Sequence, residues 1–232
     1  MAIAKLARNL ERKTVQMIIM DGLKLEPKFR VPYYGLKGVE IPDAGRDDLP
    51  KFLFESGCKV GVEVGIDRGE FGMKLCQAGL KVYGIDPYTI YPGYKDTESY
   101  ENHYDEAIAN LKDYDYTIIK KLSMDALADF KDGSLDFIYI DGNHFLPYIT
   151  ADIFGWDAKL RKGGIMSGHD YAFVYGLGER SIPKVYDGIH VKAAVDACAY
   201  IMRVEKLYVL GERFAKKGEK RDRWRSWFWI KQ

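Results

Sequence analysis

Gly61-Val62-Glu63-Val64-Gly65-Ile66-Asp67-Arg68-Gly69 is the stretch whose reading decides the fold. It continues a short β-branched run, Lys59 to Val64, of the kind that fills a buried strand. The chain then passes through Gly65 and Gly69 into a segment where Phe71, Leu75 and Ala78 recur at i, i+4 and i+7, one face of a helix that Gly79 would stop. A strand that turns on glycine into a helix offers free backbone N–H groups and lets a ligand approach the main chain closely. Such a turn suits a nucleotide-type ligand at the top of an α/β sheet.

The pattern repeats outward from this turn. A second strand, Lys81 to Asp86, follows almost at once. After it, Pro87 to Tyr104 holds Tyr88, Tyr91, Tyr94, Tyr100 and Tyr104 with Pro and Gly, a long loop that becomes a helix near Glu101. Strand three is Tyr116 to Lys120, and a short helix covers Ser123 to Phe130. Asp132-Gly133 turns the chain into strand four, Leu135 to Asp141. A helix over Tyr148 to Leu160 ends at Lys162-Gly163-Gly164 before strand five, Ile165 to Ser167. An irregular segment runs to Gly188, and a helix follows from Val191 to Met202. Val204 to Leu210 and Ser226 to Ile230 complete the chain as a hairpin at the sheet edge. The expected architecture is α/β: a Rossmann-like, doubly wound, seven-stranded sheet, mostly parallel, with an antiparallel C-terminal hairpin strand. Residues 1–50 read as an N-terminal extension of helix and Pro- and Gly-punctuated coil packed on a core domain of residues 51–232.

Composition narrows the partners. Lys and Arg number 35 against 34 Asp and Glu, a formal charge of +1, so there is no electrostatic reason to expect nucleic acid. No apolar run approaches the roughly 18 residues of a membrane span, and Lys5, Arg8, Glu11 and Arg12 interrupt any secretory core, which predicts a cytoplasmic protein without a membrane partner. Cys58, Cys76 and Cys198 have no metal-site spacing and read as reduced core residues. Lys216, Lys217, Lys220, Arg221, Arg223 and Arg225 are interrupted by acidic residues and read as a solvated hairpin loop.

The glycine turn also discriminates between cofactors. A dinucleotide fingerprint needs a second glycine where this chain has Asp67, and a carboxylate there would repel a pyrophosphate. A ligand with sulfonium and ammonium charges would accept it. Asp86, 21 positions after Gly65 and at the end of strand two, can accept hydrogen bonds from both hydroxyls of a ribose. Together, the Glu63-to-Gly69 ExGxxxG motif and Asp86 resemble motifs I and II of class I S-adenosylmethionine-dependent methyltransferases, and the resemblance runs over residues 59 to 232. It implies S-adenosyl-L-methionine as cofactor, with residues 51–232 as the methyltransferase domain. Glu63 and Gly65 would line the methionine end, Asp86 would hold the ribose, and Ser123 with Met124 would flank the adenine. Ile66, Gly69, Pro87 and Asp141 complete the implied cofactor set. Ser123 equally suits a helix N-cap.

Two polar clusters, Asp141-Gly142-Asn143-His144 and Ser167-Gly168-His169-Asp170-Tyr171, end strands four and five, where an open α/β sheet places its ligand. Here the chain resembles O-methyltransferases acting on catechols and on sugars of natural products. By that resemblance Asp141, His169 and Asp170 would hold a divalent cation, Mg²⁺ or Mn²⁺, that lowers the pKa of an acceptor hydroxyl. His169 departs from the oxygen ligand of those relatives and favours Mn²⁺ or Fe²⁺ over Mg²⁺. Without metal, His144 or His169 would serve as general base, with Asp141 beside them as the third catalytic candidate. Tyr88, Tyr91 and Tyr94, and the segment from Tyr171 to Lys184, could build a lid and acceptor pocket, or simply pack beneath long loops. The expected acceptor is a small molecule bearing a hydroxyl, sugar or phenol. The rival readings are an NAD-dependent oxidoreductase and a non-catalytic binding protein that retains the fold. Met17, Ile18, Ile19 and Met20 would let the N-terminal helix form a homo-oligomer interface as readily as a domain cap.

Overall fold

The structure is a computed structural model, and it describes residues 29–33, 36–89, 100–172, 174–175, 188–211 and 224–232. The proposed N-terminal helix with Met17 to Met20, Tyr91 and Tyr94, most of the 171–184 segment, and the basic link except Arg225 lie outside these residues.

In chain order the strands are β1 (Phe29–Tyr33), β2 (Leu36–Ile41), β3 (Val60–Val64), β4 (Lys81–Ile85), β5 (Tyr116–Ile119), β6 (Leu135–Ile140), β7 (Leu160–Gly168), β8 (Val174–Tyr175), β9 (Gly188–Ile189), β10 (Lys206–Leu210) and β11 (Trp227–Ile230). The helices are α1 (Leu49–Glu55), α2 (Glu70–Gln77), α3 (Tyr100–Leu111), α4 (Ser123–Ala126), α5 (Leu146–Lys159) and α6 (Val191–Ile201). The main sheet has nine strands in the order β1-β2-β10-β11-β7-β6-β3-β4-β5, and β8 pairs with β9 apart from it. Strands β5, β4, β3, β6 and β7 are mutually parallel, and β11 runs antiparallel to both β7 and β10. The mostly parallel, doubly wound sheet with its antiparallel C-terminal strand is the architecture the sequence predicts.

Two details differ. Residues 29–41, read as punctuated coil, form β1 and β2, and β2 adds to β10 in parallel register from Lys206↔Lys37 to Leu210↔Ile41. The C-terminal hairpin is therefore covered on its outer side and is not the edge of the sheet. Proline removes a ladder donor and is tolerated at an edge; Pro32 lies on β1, the outermost strand, which is why the alternation there is hard to see. The second detail is β7, which begins at Leu160 directly after α5. Its pairing with β6 shifts register between Leu135 and Phe137, and Gly163 sits at φ +72°, so Lys162-Gly163-Gly164 kinks a strand rather than preceding one.

Alternation along the central strands sorts the core into two layers. On β6, Ile138 and Ile140 join Trp156 of α5 and Val195 of α6 on one face, while Phe137 and Tyr139 join Phe52 of α1 and Phe71 of α2 on the other. On β11, Trp227 and Trp229 pack on the first face and Phe228 on the second. Burying each large side chain fully contributes about 1.5–3 kcal/mol, enough to fix the strand register on which the site depends. Cys58 and Cys198 are buried in these layers as free thiols, and Cys76 is half-buried.

Candidate active site

The site is built on the carboxyl ends of β3, β4, β5 and β6, at the point where the parallel strands part to either side. After β3 the chain turns at Gly65, φ +89°, where a Cβ would stand 2.2 Å from the Asp141 carbonyl oxygen. Only glycine fits this close crossing. Gly65 N–H donates to Ile85 O at 2.9 Å and Asp141 N–H to Val64 O at 2.7 Å, so the ends of β3, β4 and β6 are tied at one place. Asp67 continues the loop at φ +51°, and Gly69, φ +79°, is the N-cap of α2.

Asp86 staples this loop. Its Oδ2 accepts the N–H groups of Ile66 at 3.0 Å and Asp67 at 3.3 Å, and its Oδ1 accepts that of Tyr88 at 2.9 Å. From the far side, Tyr88 Oη donates to Asp67 O at 3.0 Å, and its ring packs against Tyr104 of α3 at 4.9 Å between centroids. Tyr88 thus packs beneath the loop. Tyr171 is also buried, its hydroxyl donating to Asp196 Oδ1 at 2.5 Å. α3 adds Asn110 Nδ2, which donates to Arg68 O at 2.9 Å.

A cavity of about 590 Å³ opens above the loop, a volume suited to a cofactor-sized ligand. Gly65, Ile66, Asp86, Pro87, Ser123, Met124 and Asp141 all line it, as does His144. Gly69, His169 and Asp170 stand behind this wall, and Glu63 lies below it, 1% exposed. Tyr116 Oη donates to Glu63 Oε2 at 2.6 Å, and burial raises the carboxyl to about 8 although Tyr116 and Arg46 pull the other way. Glu63 is held beneath the cavity by Tyr116 of β5 and does not line its wall. Ser123 opens α4 without capping it: its Oγ donates to Asp152 Oδ1 at 2.5 Å and accepts from Trp156 Nε1 at 2.8 Å. Asp152, on the cavity wall, is raised to about 7 by burial, against the opposing effect of the Ser123 hydrogen bond.

The polar edge gathers beside Asp141. After β6 the chain doubles back at Gly142, with Asn143 Oδ1 accepting Phe145 N–H at 3.0 Å, and this turn brings His144 over Asp141. His190 clips the turn from α6: its N–H donates to His144 O at 3.0 Å, and its Nδ1 accepts Leu146 N–H at 3.3 Å. Asp170 enters from the end of β7 in the left-handed region, φ +54°, a strained conformation for a residue with a Cβ. His144 Nε2 lies 2.9 Å from Asp170 Oδ2 and 3.5 Å from Asp141 Oδ1. Ligand atoms of Asp141, His144 and Asp170 all fall within 4.8 Å of one another. His169 Nδ1 is more remote, 3.6 Å from Asp170 and 4.0 Å from Asp141. The compact triad therefore contains His144 where the sequence suggested His169. Spacing alone does not rank the two histidines; the turn through Gly142 and Asn143 does.

Electrostatics follow from this crowding. Burial would lower the His144 pKa, but the close negative charges of Asp141 and Asp170 outweigh it and raise it to about 10. Burial would raise Asp170, but His144 and His169 hold it well below the usual carboxylate range. A protonated imidazole donates and cannot accept a proton, which weakens the metal-free general-base role for His144. Its Nε2 is enclosed and makes no hydrogen bond of good geometry despite the two nearby carboxylates. An enclosed nitrogen facing two carboxylates without a proper hydrogen bond fits a cation position.

Of the wall residues that the sequence reading missed, the one that touches the polar edge most directly is Arg46. Arg46, from the β2–α1 connection, lies over the Phe71 ring at 4.5 Å and donates from Nη2 to Asp141 Oδ2 at 2.6 Å. No local motif marks it; only the pairing of β2 with β10 delivers it to the site.

A family model described as a methyltransferase domain matches residues 62–171. Over 53 residues the chain is 34% identical to "Uncharacterized protein y4gI" of Sinorhizobium fredii; the match takes in 23% of the chain and spans 6% of the length of that curated relative. Among solved structures, an O-methyltransferase from Bacillus cereus in complex with SAH is similar over 99% of this chain and 97% of its own, with 16% identity and a TM-score of 0.52. The O-methyltransferase TomG from Streptomyces achromogenes, involved in tomaymycin synthesis and in complex with SAM, is similar over 81% and 78%, with 13% identity and a TM-score of 0.50. At these identities the structural likeness is one of fold. The class I methyltransferase resemblance read from Glu63 to Gly69 and from Asp86 holds, and its core lies within residues 62–171.

Proposed function

We propose that this protein transfers the methyl group of S-adenosylmethionine to a hydroxyl of a small-molecule acceptor, a sugar or a phenol, with a divalent cation at Asp141, His144 and Asp170. The observation that carries the reading is the shared wall of one cavity. It runs from the Gly65 loop past Asp86 to Ser123 and Met124, and returns through Asp141 and His144. The relatives known in complex with SAM or SAH support the choice of cofactor. Asp67 on the same wall opposes a pyrophosphate, which argues against the NAD-dependent reading. A purely binding role leaves the strained Asp170 and the crowded triad without a purpose.

In the transfer, an acceptor oxygen attacks the methyl carbon, and the carbon–sulfur bond breaks with its electrons returning to sulfur. The hydroxyl proton passes to solvent water as the new bond forms. The protein's contribution is position: the Gly65 loop borders the methionine end, Asp86 holds the ribose, and the exposed faces of Leu122, Met124 and Tyr148 border the cavity where planar groups can rest. Asp141, His144 and Asp170 fit a cation through two hard carboxylates and one imidazole, a set that suits Mn²⁺ or Fe²⁺ better than Mg²⁺. When bound there, the cation supplies Lewis acidity that makes an acceptor hydroxyl easier to ionise. His144 would hold such an ion as a neutral imidazole, the ion taking over the positive charge that faces the two carboxylates.

The test is transfer of labelled methyl from S-adenosylmethionine to a panel of sugars, phenols and amines, by protein stripped with chelator and resupplied with Mn²⁺ or Mg²⁺. Transfer to hydroxyl acceptors that falls on chelation and returns with Mn²⁺ is the expected result. Unchanged transfer after chelation overturns the metal assignment, and transfer confined to amines overturns the acceptor.

A further inference from the structure

A cofactor of this kind ends in an amino acid, so its cavity must receive a carboxylate among many acidic side chains. Besides His144, which faces Asp141 and Asp170, three cationic side chains line the wall among the described residues: Arg46, Arg68 and Lys74. Arg68 turns outward to Glu106 of α3, with Nε 3.2 Å from its carboxylate, and Lys74 is half-exposed and paired with Asp47 at 2.7 Å. Arg46 is different. Its guanidinium is fixed on the cavity wall between the Phe71 ring and Asp141, with its Nε buried and the Tyr139 ring 5.6 Å from the guanidinium carbon. A guanidinium presents five N–H donors in a rigid fork shaped for a carboxylate. One edge is used on Asp141, and the side chain, 34% exposed on the cavity wall, keeps N–H donors for a ligand.

We infer that Arg46 is the receptor for the α-carboxylate of the cofactor's methionine moiety, with Asp141 holding the guanidinium in place. The inference rests on the cofactor assignment above and names the residue that reads the amino-acid end. Arg46 lies outside residues 62–171, so the methyltransferase-domain match does not include it. It belongs to the segment that β2 anchors to the main sheet, which makes the additional strands part of the binding site. The charges agree: Arg46 and Asp141 together present one cation and one anion to a zwitterionic head group.

Calorimetric titration of the full chain with S-adenosylhomocysteine and with 5′-methylthioadenosine, which lacks the amino acid, separates the possibilities. The wild type binds both, and Arg46→Ala and Arg46→Gln weaken S-adenosylhomocysteine by about 10- to 100-fold while leaving methylthioadenosine within about twofold. Arg46→Lys, retaining charge without the fork, falls between. Equal weakening of both ligands shows a merely structural role, and unchanged S-adenosylhomocysteine binding removes Arg46 from recognition; either result overturns the inference while leaving the cofactor reading intact. Binding of neither ligand by the folded wild type overturns the cofactor reading itself.

Discussion

Gly65→Ala should damage both stability and ligand binding, and the structure allows the two effects to be apportioned. A Cβ at Gly65 meets the Asp141 carbonyl oxygen at 2.2 Å, its carbon at 2.6 Å and Gly142 Cα at 2.8 Å, all main-chain atoms that no rotamer change can clear. Adding a side chain at φ +89° costs about 1–2 kcal/mol, partly offset by the lower entropy of an unfolded alanine. Moving backbone to relieve the overlap adds about 1–3 kcal/mol, for a total of about 2–4 kcal/mol. Gly133 supplies the control: its φ is +66°, yet nothing lies within 4 Å of the added Cβ. Gly133→Ala should therefore cost only the conformational part, about 1 kcal/mol. Urea unfolding of the two variants, with titration of S-adenosylhomocysteine into each, reads both quantities. Gly65→Ala should lose binding by at least tenfold, because relief of the clash displaces the amides of Ile66 and Asp67 from Asp86, whereas Gly133→Ala should bind as wild type. Equal stability losses in the two variants, with unimpaired binding in Gly65→Ala, would refute the crossing argument.

Three further outcomes are expected. Asp152 is pushed up to about 7 when folded, so its contribution favours the fold below the unfolded carboxylate pKa of about 4 and is lost as pH rises towards 7. Asp152→Asn should gain on wild type by a few kcal/mol, to order of magnitude, between those limits in pH-dependent unfolding; a constant difference across that range would contradict the burial of this carboxyl. Asp136 behaves oppositely: it accepts Lys59 and Val60 N–H and Arg161 Nε, and although burial alone would raise its pKa, these donors lower it. Its stabilisation is present above pH 4 and lost as pH falls through the folded pKa, so Asp136→Asn should cost about 1–3 kcal/mol at pH 7 and progressively less in acid, as thermal unfolding against pH would record. His190→Ala keeps the backbone bond to His144 O but removes the Nδ1 acceptor of Leu146 N–H, and should lower stability by about 1 kcal/mol, and Mn²⁺ binding followed by calorimetry should weaken with it; unchanged Mn²⁺ affinity would show that the turn holds its shape without the imidazole.

Much of this molecule is legible in its residues because local signals and tertiary structure agree there. The Val62-to-Gly69 turn, the strand ending at Asp86, the run from Leu135 to Ile140 and the α6 helix each carry their own periodicity or punctuation, and each is found where that pattern points. The parts that were not legible depend on pairings between distant segments. β1 and β2 lack clean alternation and become strands because β10 offers an open edge, and Arg46 reaches the cavity only through that pairing. Glu63 illustrates the same limit in reverse: its position in the motif suggests a ligand contact, yet strand alternation and Tyr116 place it under α2. His144 and His169 could not be ranked from spacing alone, since the outcome turns on the return after Gly142 and on the left-handed Asp170.

The most direct test of the central claim is calorimetric titration of chelator-treated, full-length protein with S-adenosylhomocysteine, with NAD and Asp86→Ala as controls. The account predicts binding in the micromolar range, about −8 kcal/mol, absent for NAD and lost when the Asp86 staple is removed. Folded wild-type protein that binds NAD, or that shows no heat with S-adenosylhomocysteine, would contradict it.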